Sequence, residues 1–406
     1  MRHVYVHVPF CARRCSYCDF SIAVRKTTPA DVYVECIRRE LARLNSNDGG
    51  EPIDDSPLET LYFGGGTPSL FPPEAIHELT QLVLHTCSSG WGDPGAVPRG
   101  QRETTGGRAH SRLAPLGQPQ PEITLEANPD DVTPVAAAQW RRAGINRISL
   151  GGQSFQDRVL EWMHRTHDAA QIGRAVRTLR DAGFANISLD LIFALPGELE
   201  RDWDRDLDGV LALAPQHISL YGLSVEPRTP LARWIDRGGS SLPEDDRYAA
   251  EYLRAHERLG AAGYQFYEVS NASRGPHTRS RHNSAYWFGH GYLGLGPAAH
   301  SYDQGRRSWN VPAWARYRAL VMQGRSPVEH VEVLTEDERE LERLYLALRT
   351  ADGLSTAHAR PLPPVTAQFE ERGWLERSGD RLRCTPEGWL RLDALVAALT
   401  GVGAES

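Results

Sequence analysis

Three cysteines, Cys11, Cys15 and Cys18, stand in the segment HVYVHVPFCARRCSYCDF, residues 3–20. A loop this short can bring three thiolates around one corner of an iron–sulfur cube and leave the fourth iron without a protein ligand. An iron with open positions can hold a small chelating molecule, so the stretch is a site for chemistry rather than for electron passage alone. Zinc is the competing metal. A structural zinc site wants four ligands and usually a second cysteine pair. No such pair follows, although His3 or His7 could complete a tetrahedron. Disulfides fit less well: nothing in the chain reads as a secretory signal, and clustered thiols in a non-secreted chain read as metal-binding.

The flanking pattern supplies the elements that position these thiols. Val4, Val6 and Val8 alternate with His3, Tyr5 and His7, which predicts a strand running into the cysteine loop. Thr28-Pro29 starts a helix through about Leu44, and Cys36 borders its apolar stripe as a small buried hydrophobe. A second strand, Leu58 to Phe63, ends in Gly64-Gly65-Gly66-Thr67-Pro68, where successive free amides would suit a carboxylate or phosphate. A helix from about Pro73 to His85 follows. Residues 88–121 are rich in Gly, Pro, Arg and Gln without apolar periodicity and predict a disordered surface insertion.

Four more strands are expected: Glu122 to Asn128, Arg147 to Leu150, Ile187 to Ala194 and His217 to Val225. Helices separate them, one opened by the capping box Asp168-x-x-Gln171. Six strands alternating with helices predict an α/β fold, a parallel sheet curved into a partial (β/α)6 barrel. Polar residues then fall at the C-terminal ends of the strands: the cysteines, the glycines, Glu126, Gln153, Asp190 and Ser224. That end carries the active site in parallel barrels. Structural carboxylates and surface ion pairs are the plainer reading of such residues individually.

Beyond the barrel, residues 281–301 mix Gly, His and aromatic side chains, which predicts irregular chain close to the site. The tail reads as helix, helix, hairpin, helix, with the capping box Thr335-x-x-Glu338 at its start, and suggests a small winged-helix-like domain. The expected division is a barrel over 1–230, an extension over 231–330 and a tail domain over 331–400. A net charge of −7 argues against a general nucleic-acid binder, and no apolar run is long enough to span a bilayer. A reducing, cytoplasmic setting suits six cysteines without an export signal.

The pattern Cys-x-x-x-Cys-x-aromatic-Cys, with Tyr17 as the aromatic, is the signature of radical S-adenosylmethionine (SAM) enzymes. Together with YVHVPFC, GGGTP, LEANP, GGQS, DLI–LPG, HNSAYW and GLGPAAHS, it makes the chain resemble the oxygen-independent coproporphyrinogen oxidase group from Tyr5 to the tail domain. The resemblance implies a 4Fe-4S cluster on Cys11, Cys15 and Cys18, with SAM bound at its open iron. It also implies that Tyr5, Tyr17, Gly65, Gly66, Thr67, Glu126, Gln153, Arg165, Asp190 and Ser224 line the SAM region. Reduction of such a cluster can break a carbon–sulfur bond of SAM and release a 5′-deoxyadenosyl radical.

Two branches of that group compete. The decarboxylating members convert coproporphyrinogen III propionates to vinyls and carry a further cysteine where this chain has Phe20. HemW-type heme chaperones lack that cysteine and contain HNxxYW, here His282 to Trp287. The chaperone resemblance implies heme binding and transfer to an unidentified acceptor protein, an electron donor if SAM is cleaved, no nucleic acid, and room for peripheral membrane association. His282 is then a candidate axial heme ligand, or a histidine hydrogen-bonded inside a packed loop. A winged-helix regulator is the non-metal alternative.

Overall fold

The computed structural model describes residues 2–45, 57–88, 120–242, 244–357 and 363–401. The expected insertion therefore lies, but for its ends, outside the described residues. Six strands, β1 (His3–Val8), β2 (Thr60–Gly65), β3 (Glu122–Ala127), β4 (Arg147–Gln153), β5 (Ile187–Phe193) and β6 (His217–Gly222), pair in chain order and in parallel. Helices α1 (Ala30–Asn45), α2 (Pro73–Ser88), α3 (Pro134–Ala143), α4 (Asp157–Trp162), α5 (Ala169–Asp181) and α6 (Trp203–Leu213) occupy the crossovers. Strands covered by helices bury most of their apolar residues: Val6, Phe63, Leu125, Leu150 and Leu191 are 0% exposed. Each such side chain contributes about 1.5–3 kcal/mol.

Local signals set the helix ends. Thr133 Oγ1 accepts from the Ala136 amide at 3.1 Å, and Gly144 closes α3 in the left-handed region. Asp168 and Gln171 cap α5 reciprocally, as expected.

Three strand ends differ from expectation because pairing partners decide them. Gly64 and Gly65 continue β2, opposite His7 and Val8. Gly151 and Gln153 continue β4, opposite Asp190 and Leu191 across a bulge. β6 stops at Gly222, so Ser224 lies just beyond it.

The largest correction concerns 281–301. It is irregular only in part: Ser280 caps a helix at Arg281–Trp287, and Leu293–Leu295 joins β1 as a seventh parallel strand, with turns and loops between them and before His300. β1 would otherwise present an open edge, and burying Leu293 and Leu295 covers it. At the far edge Asn271–Ser273 pairs antiparallel with β6 and Gln265–Glu268 pairs antiparallel with Asn271–Ser273, making a nine-stranded sheet.

His300–Asp303, Arg306–Asn310 and Val328–Val333 form a separate antiparallel sheet. The tail has the expected helix at Glu336–Arg349 with its capping box, and the hairpin Leu375–Ser378 with Arg381–Cys384. A short strand, Leu354–Ser355, completes a three-stranded wing. The tail is not packed independently of the barrel, since one apolar cluster runs from Val4 to Leu399. A smaller cluster of Val159, Met163, Leu195 and Leu231 packs against Tyr17.

Candidate cluster and cofactor site

The cysteine loop is pinned by backbone hydrogen bonds. The Ser16 amide donates to Met163 O at 3.2 Å, and the Leu231 amide donates to Ser16 O at 2.8 Å. From the glycine loop, Gly66 N donates to Val8 O at 2.7 Å and Thr67 N to Phe10 O at 2.8 Å. Gly65 N donates to Glu126 Oε2 at 3.1 Å. The amides expected to be free for a ligand are thus spent on holding β1, the cysteine loop and β3 together. Glycine is required for this closeness: a Cβ on Gly66 would stand 2.7 Å from Phe10 O, and Gly65 has φ +107°.

All three thiols are free of disulfides; Cys11 is buried, and Cys15 and Cys18 are half-buried. Thr67 Oγ1 donates to Cys11 Sγ at 3.4 Å. Burial pushes the Cys11 thiol up to about 11. A metal ion deprotonates a coordinating thiol outright, so its charge is what would make this donor set a thiolate set. Among the described residues no three His, Cys, Asp or Glu side chains gather around a point that could hold a single ion. Zinc needs such convergence, whereas thiols that each take a different corner of a cube must stand apart. His3 and His7 are also committed elsewhere: His3 Nδ1 bonds Thr60 Oγ1 at 3.0 Å, and His7 bonds Tyr5 OH at 3.1 Å and Ser21 O at 3.3 Å.

A cavity of about 520 Å³ opens over the thiols. Cys11, Cys15, Cys18 and Tyr17 line one side, and Gly65, Gly66 and Thr67 a second. Glu126, Gln153, Arg165, Asp190 and Ser224 line the rest, so these residues from six strand ends do converge. Glu126 accepts from Tyr62 OH at 2.8 Å, and burial pushes its carboxyl up to about 7. Asp190 accepts from Ser149 Oγ at 3.1 Å and Ser188 Oγ at 3.2 Å, and burial raises it too. Arg165 donates to Asn128 Oδ1 at 2.6 Å and Gly151 O at 3.0 Å, and its Nη1 lies 3.6 Å from Cys15 Sγ.

Two buried polar atoms on this cavity, Gln153 Oε1 and Arg165 Nε, have no hydrogen-bond partner among the described residues. Unpaired buried polar groups are costly and call for a ligand or water. With acceptors on Glu126 and Asp190 and a cation at Arg165, the donor set fits an amino-acid-bearing nucleoside such as SAM beside a cluster.

Two expected residues lie elsewhere. Tyr5 lines a neighbouring cavity of about 1000 Å³. His282 is 1% exposed, with Nδ1 bonded to Thr60 Oγ1 and Nε2 to Tyr286 OH, both at 2.7 Å. An axial ligand needs a free nitrogen lone pair facing the iron, and in this arrangement His282 has none. Asn128, Ser149 and Tyr221 also line the thiol-bearing cavity. The positions of Asn128 and Tyr221 at the ends of β3 and β6 were the available signal, whereas Ser149 lies in the middle of β4.

The radical SAM superfamily model matches residues 5–209, and the HemN C-terminal domain model matches 334–391. The heme chaperone HemW of Mycobacterium tuberculosis is 36% identical, across 98% of this chain and 94% of that protein. The heme chaperone HemW of Bacillus subtilis is 29% identical, across 99% and 100%. Radical S-adenosyl methionine domain-containing protein 1, mitochondrial, of Bos taurus is 30% identical, across 98% and 86%. Among solved structures, Escherichia coli coproporphyrinogen III oxidase (HemN) superposes with a TM-score of 0.72 at 19% identity, across 98% of this chain and 89% of that chain, which shows the shared fold. With its cysteine triplet at the C-terminal mouth of the parallel sheet, this chain belongs to the radical SAM superfamily and, within it, to the family of the heme chaperone HemW.

Proposed function

We propose that this protein is a heme chaperone that binds a 4Fe-4S cluster, SAM and heme and passes heme to an acceptor protein. The observation that carries the reading is the end-to-end match to HemW proteins, tail domain included. In this reading Cys11, Cys15 and Cys18 each hold one iron. SAM occupies the 520 Å³ cavity over them, and the bound pair supplies reductive cleavage chemistry where it is used. Arg165 neutralises the ligand's carboxylate, and Gln153, Glu126, Asp190 and Ser224 bond its amino and hydroxyl groups. Tyr17 packs on the small apolar cluster beneath the thiols and keeps water from that side.

The segments 1–230, 231–330 and 331–400 then divide the labour: cluster and SAM, the HNxxYW extension, and a cover over the extension. A cytoplasmic setting accords with six free cysteines. Among the described residues no helix is long and apolar enough to cross a membrane.

The test is anaerobic reconstitution of the full chain with iron and sulfide, followed by heme and SAM titration. Wild-type protein takes up about one cluster and binds heme, while replacing Cys11, Cys15 or Cys18 by Ala abolishes the cluster. Replacing Cys36, Cys87 or Cys384 leaves iron content unchanged. Vinyl product from coproporphyrinogen III with SAM and reductant would instead identify a decarboxylase, the runner-up reading. Phe20 at the further-cysteine position disfavours it.

A further inference from the structure

The cavity of about 1000 Å³ beside the cluster site is lined by Tyr5 of β1 and Gly65 of β2, the end of the Arg281–Trp287 helix and the chain after it, the His300–Asp303 hairpin and the tail domain. Its size is at the upper end for small-molecule and cofactor sites. Phe20 and Phe288 are 59% and 54% exposed, and both line it. Two large aromatic rings left in the open on one cavity provide flat apolar walls.

The hairpin wall is ordered by its ladder. His300 stands opposite Trp309 and Tyr302 opposite Arg307, so His300, Tyr302 and Arg307 share one face, and all three line the cavity. The His300 ring is exposed, stacks on Trp309 at 5.4 Å, and makes no side-chain hydrogen bond among the described residues. Partial burial, and then the nearby Arg307, lower its proton affinity, which keeps the imidazole neutral near pH 7. The other histidines compare poorly. His7 and His282 have both ring nitrogens engaged. His290 also lines the large cavity and makes no side-chain hydrogen bond among the described residues, but it stacks on His3 at 5.6 Å and is shared with a smaller cavity of about 240 Å³.

Charge completes the site. Arg307 is paired with Glu332 and Glu342, and Arg343 with Glu340. Arg339 and Arg381 line the same cavity without a carboxylate partner among the described residues. A flat apolar dianion with a metal centre matches this lining: aromatic walls, the His300 imidazole on the ordered hairpin, and two guanidiniums without a carboxylate partner among the described residues.

We propose that heme binds in this cavity, with the His300 imidazole as its axial iron ligand and the Arg339 and Arg381 guanidiniums on its propionates. The assignment rests on the heme-chaperone reading above. It places the cargo against Gly65 and Phe20, which line both cavities, so cluster and heme are neighbours.

Hemin titration of the full chain, read by Soret absorbance and electron paramagnetic resonance, tests it. His300→Ala is expected to change the ligand-dependent spectrum and to weaken binding by about tenfold or more, since even outer partners of a metal site cost that much. His300→Cys is expected to shift the spectrum to a thiolate type, and circular dichroism confirms that each variant folds. Arg339→Ala and Arg381→Ala are each expected to weaken hemin by about tenfold, the value of a charged hydrogen bond, while binding of hemin dimethyl ester stays unchanged. If wild-type protein binds no hemin, the chaperone reading itself fails. If wild type binds hemin but folded His300→Ala keeps its spectrum and affinity, or His290→Ala alone loses them, the assignment is overturned and the chaperone reading stands.

Discussion

Arg165 reaches Cys15 across 150 residues of chain, its Nη1 3.6 Å from the thiol, while its Nη2 ties Asn128 to the Gly151 carbonyl. One guanidinium thus fixes the distance between the cysteine loop and the ends of β3 and β4. Lysine has one donor point instead of a fork and cannot span all three. Arg165→Lys is expected to retain iron and sulfide but to weaken SAM binding by about tenfold, from loss of a charged hydrogen bond of about 1.5–3 kcal/mol. Equilibrium dialysis beside iron analysis checks this; unchanged SAM affinity would remove Arg165 from the site.

The imidazole of His282 is a structural link between β2 and the Arg281–Trp287 helix, and it holds the Tyr286 hydroxyl at the wall of the large cavity. His282→Ala leaves Thr60 and Tyr286 without these partners, at a cost of about 1–3 kcal/mol. Urea denaturation should show that loss, while the heme spectrum of the folded variant keeps its wild-type ligand signature. A spectrum that loses its histidine ligand in this variant alone would restore His282 as the axial group.

Glu40 on α1 accepts from Gly296 N at 2.9 Å, Asn310 Nδ2 at 2.6 Å and Tyr317 OH at 2.6 Å, joining α1 to the chain after the seventh strand. Burial nevertheless pushes its carboxyl from 4.5 up to about 7. The folded state then binds the proton more tightly than the unfolded chain. The stabilisation is full below about pH 4.5 and is lost as pH rises through 7, by up to about 3 kcal/mol. Unfolding free energies at pH 5.5 and 8 should differ by less in Glu40→Gln than in wild type. An equal pH slope in the two proteins would show that Glu40 does not titrate in this window.

Gly66 sits where the glycine loop meets the cysteine loop. A Cβ there would stand 2.7 Å from Phe10 O and 2.9 Å from Val8 O, both backbone atoms that cannot turn aside. Gly66→Ala is expected to cost about 1–3 kcal/mol and to lower the iron content after reconstitution, because the loop must shift with β1. Full iron content at wild-type stability would show that the two loops are not coupled.

Much of this protein is legible along the chain because the relevant periods are local. Alternation at Val4, Val6 and Val8 marks β1, the strand–helix rhythm makes the sheet parallel, and a parallel sheet sends all its C-terminal ends one way. Residues as distant as Cys11 and Ser224 are therefore expected on one cavity, and they line it together. The two capping boxes are likewise complete within four residues each.

Tertiary pairing decided the rest. Leu293–Leu295 has too few residues and too much glycine to read as a strand; β1 makes it one by supplying the ladder. The glycine-loop amides look free until the cysteine loop and Glu126 take them. His282 reads equally as a ligand or a packed residue until Thr60, 222 positions away, closes its second nitrogen. Hydrogen-bond satisfaction depends on who is near in space, and chain spacing does not carry that information for partners so far apart.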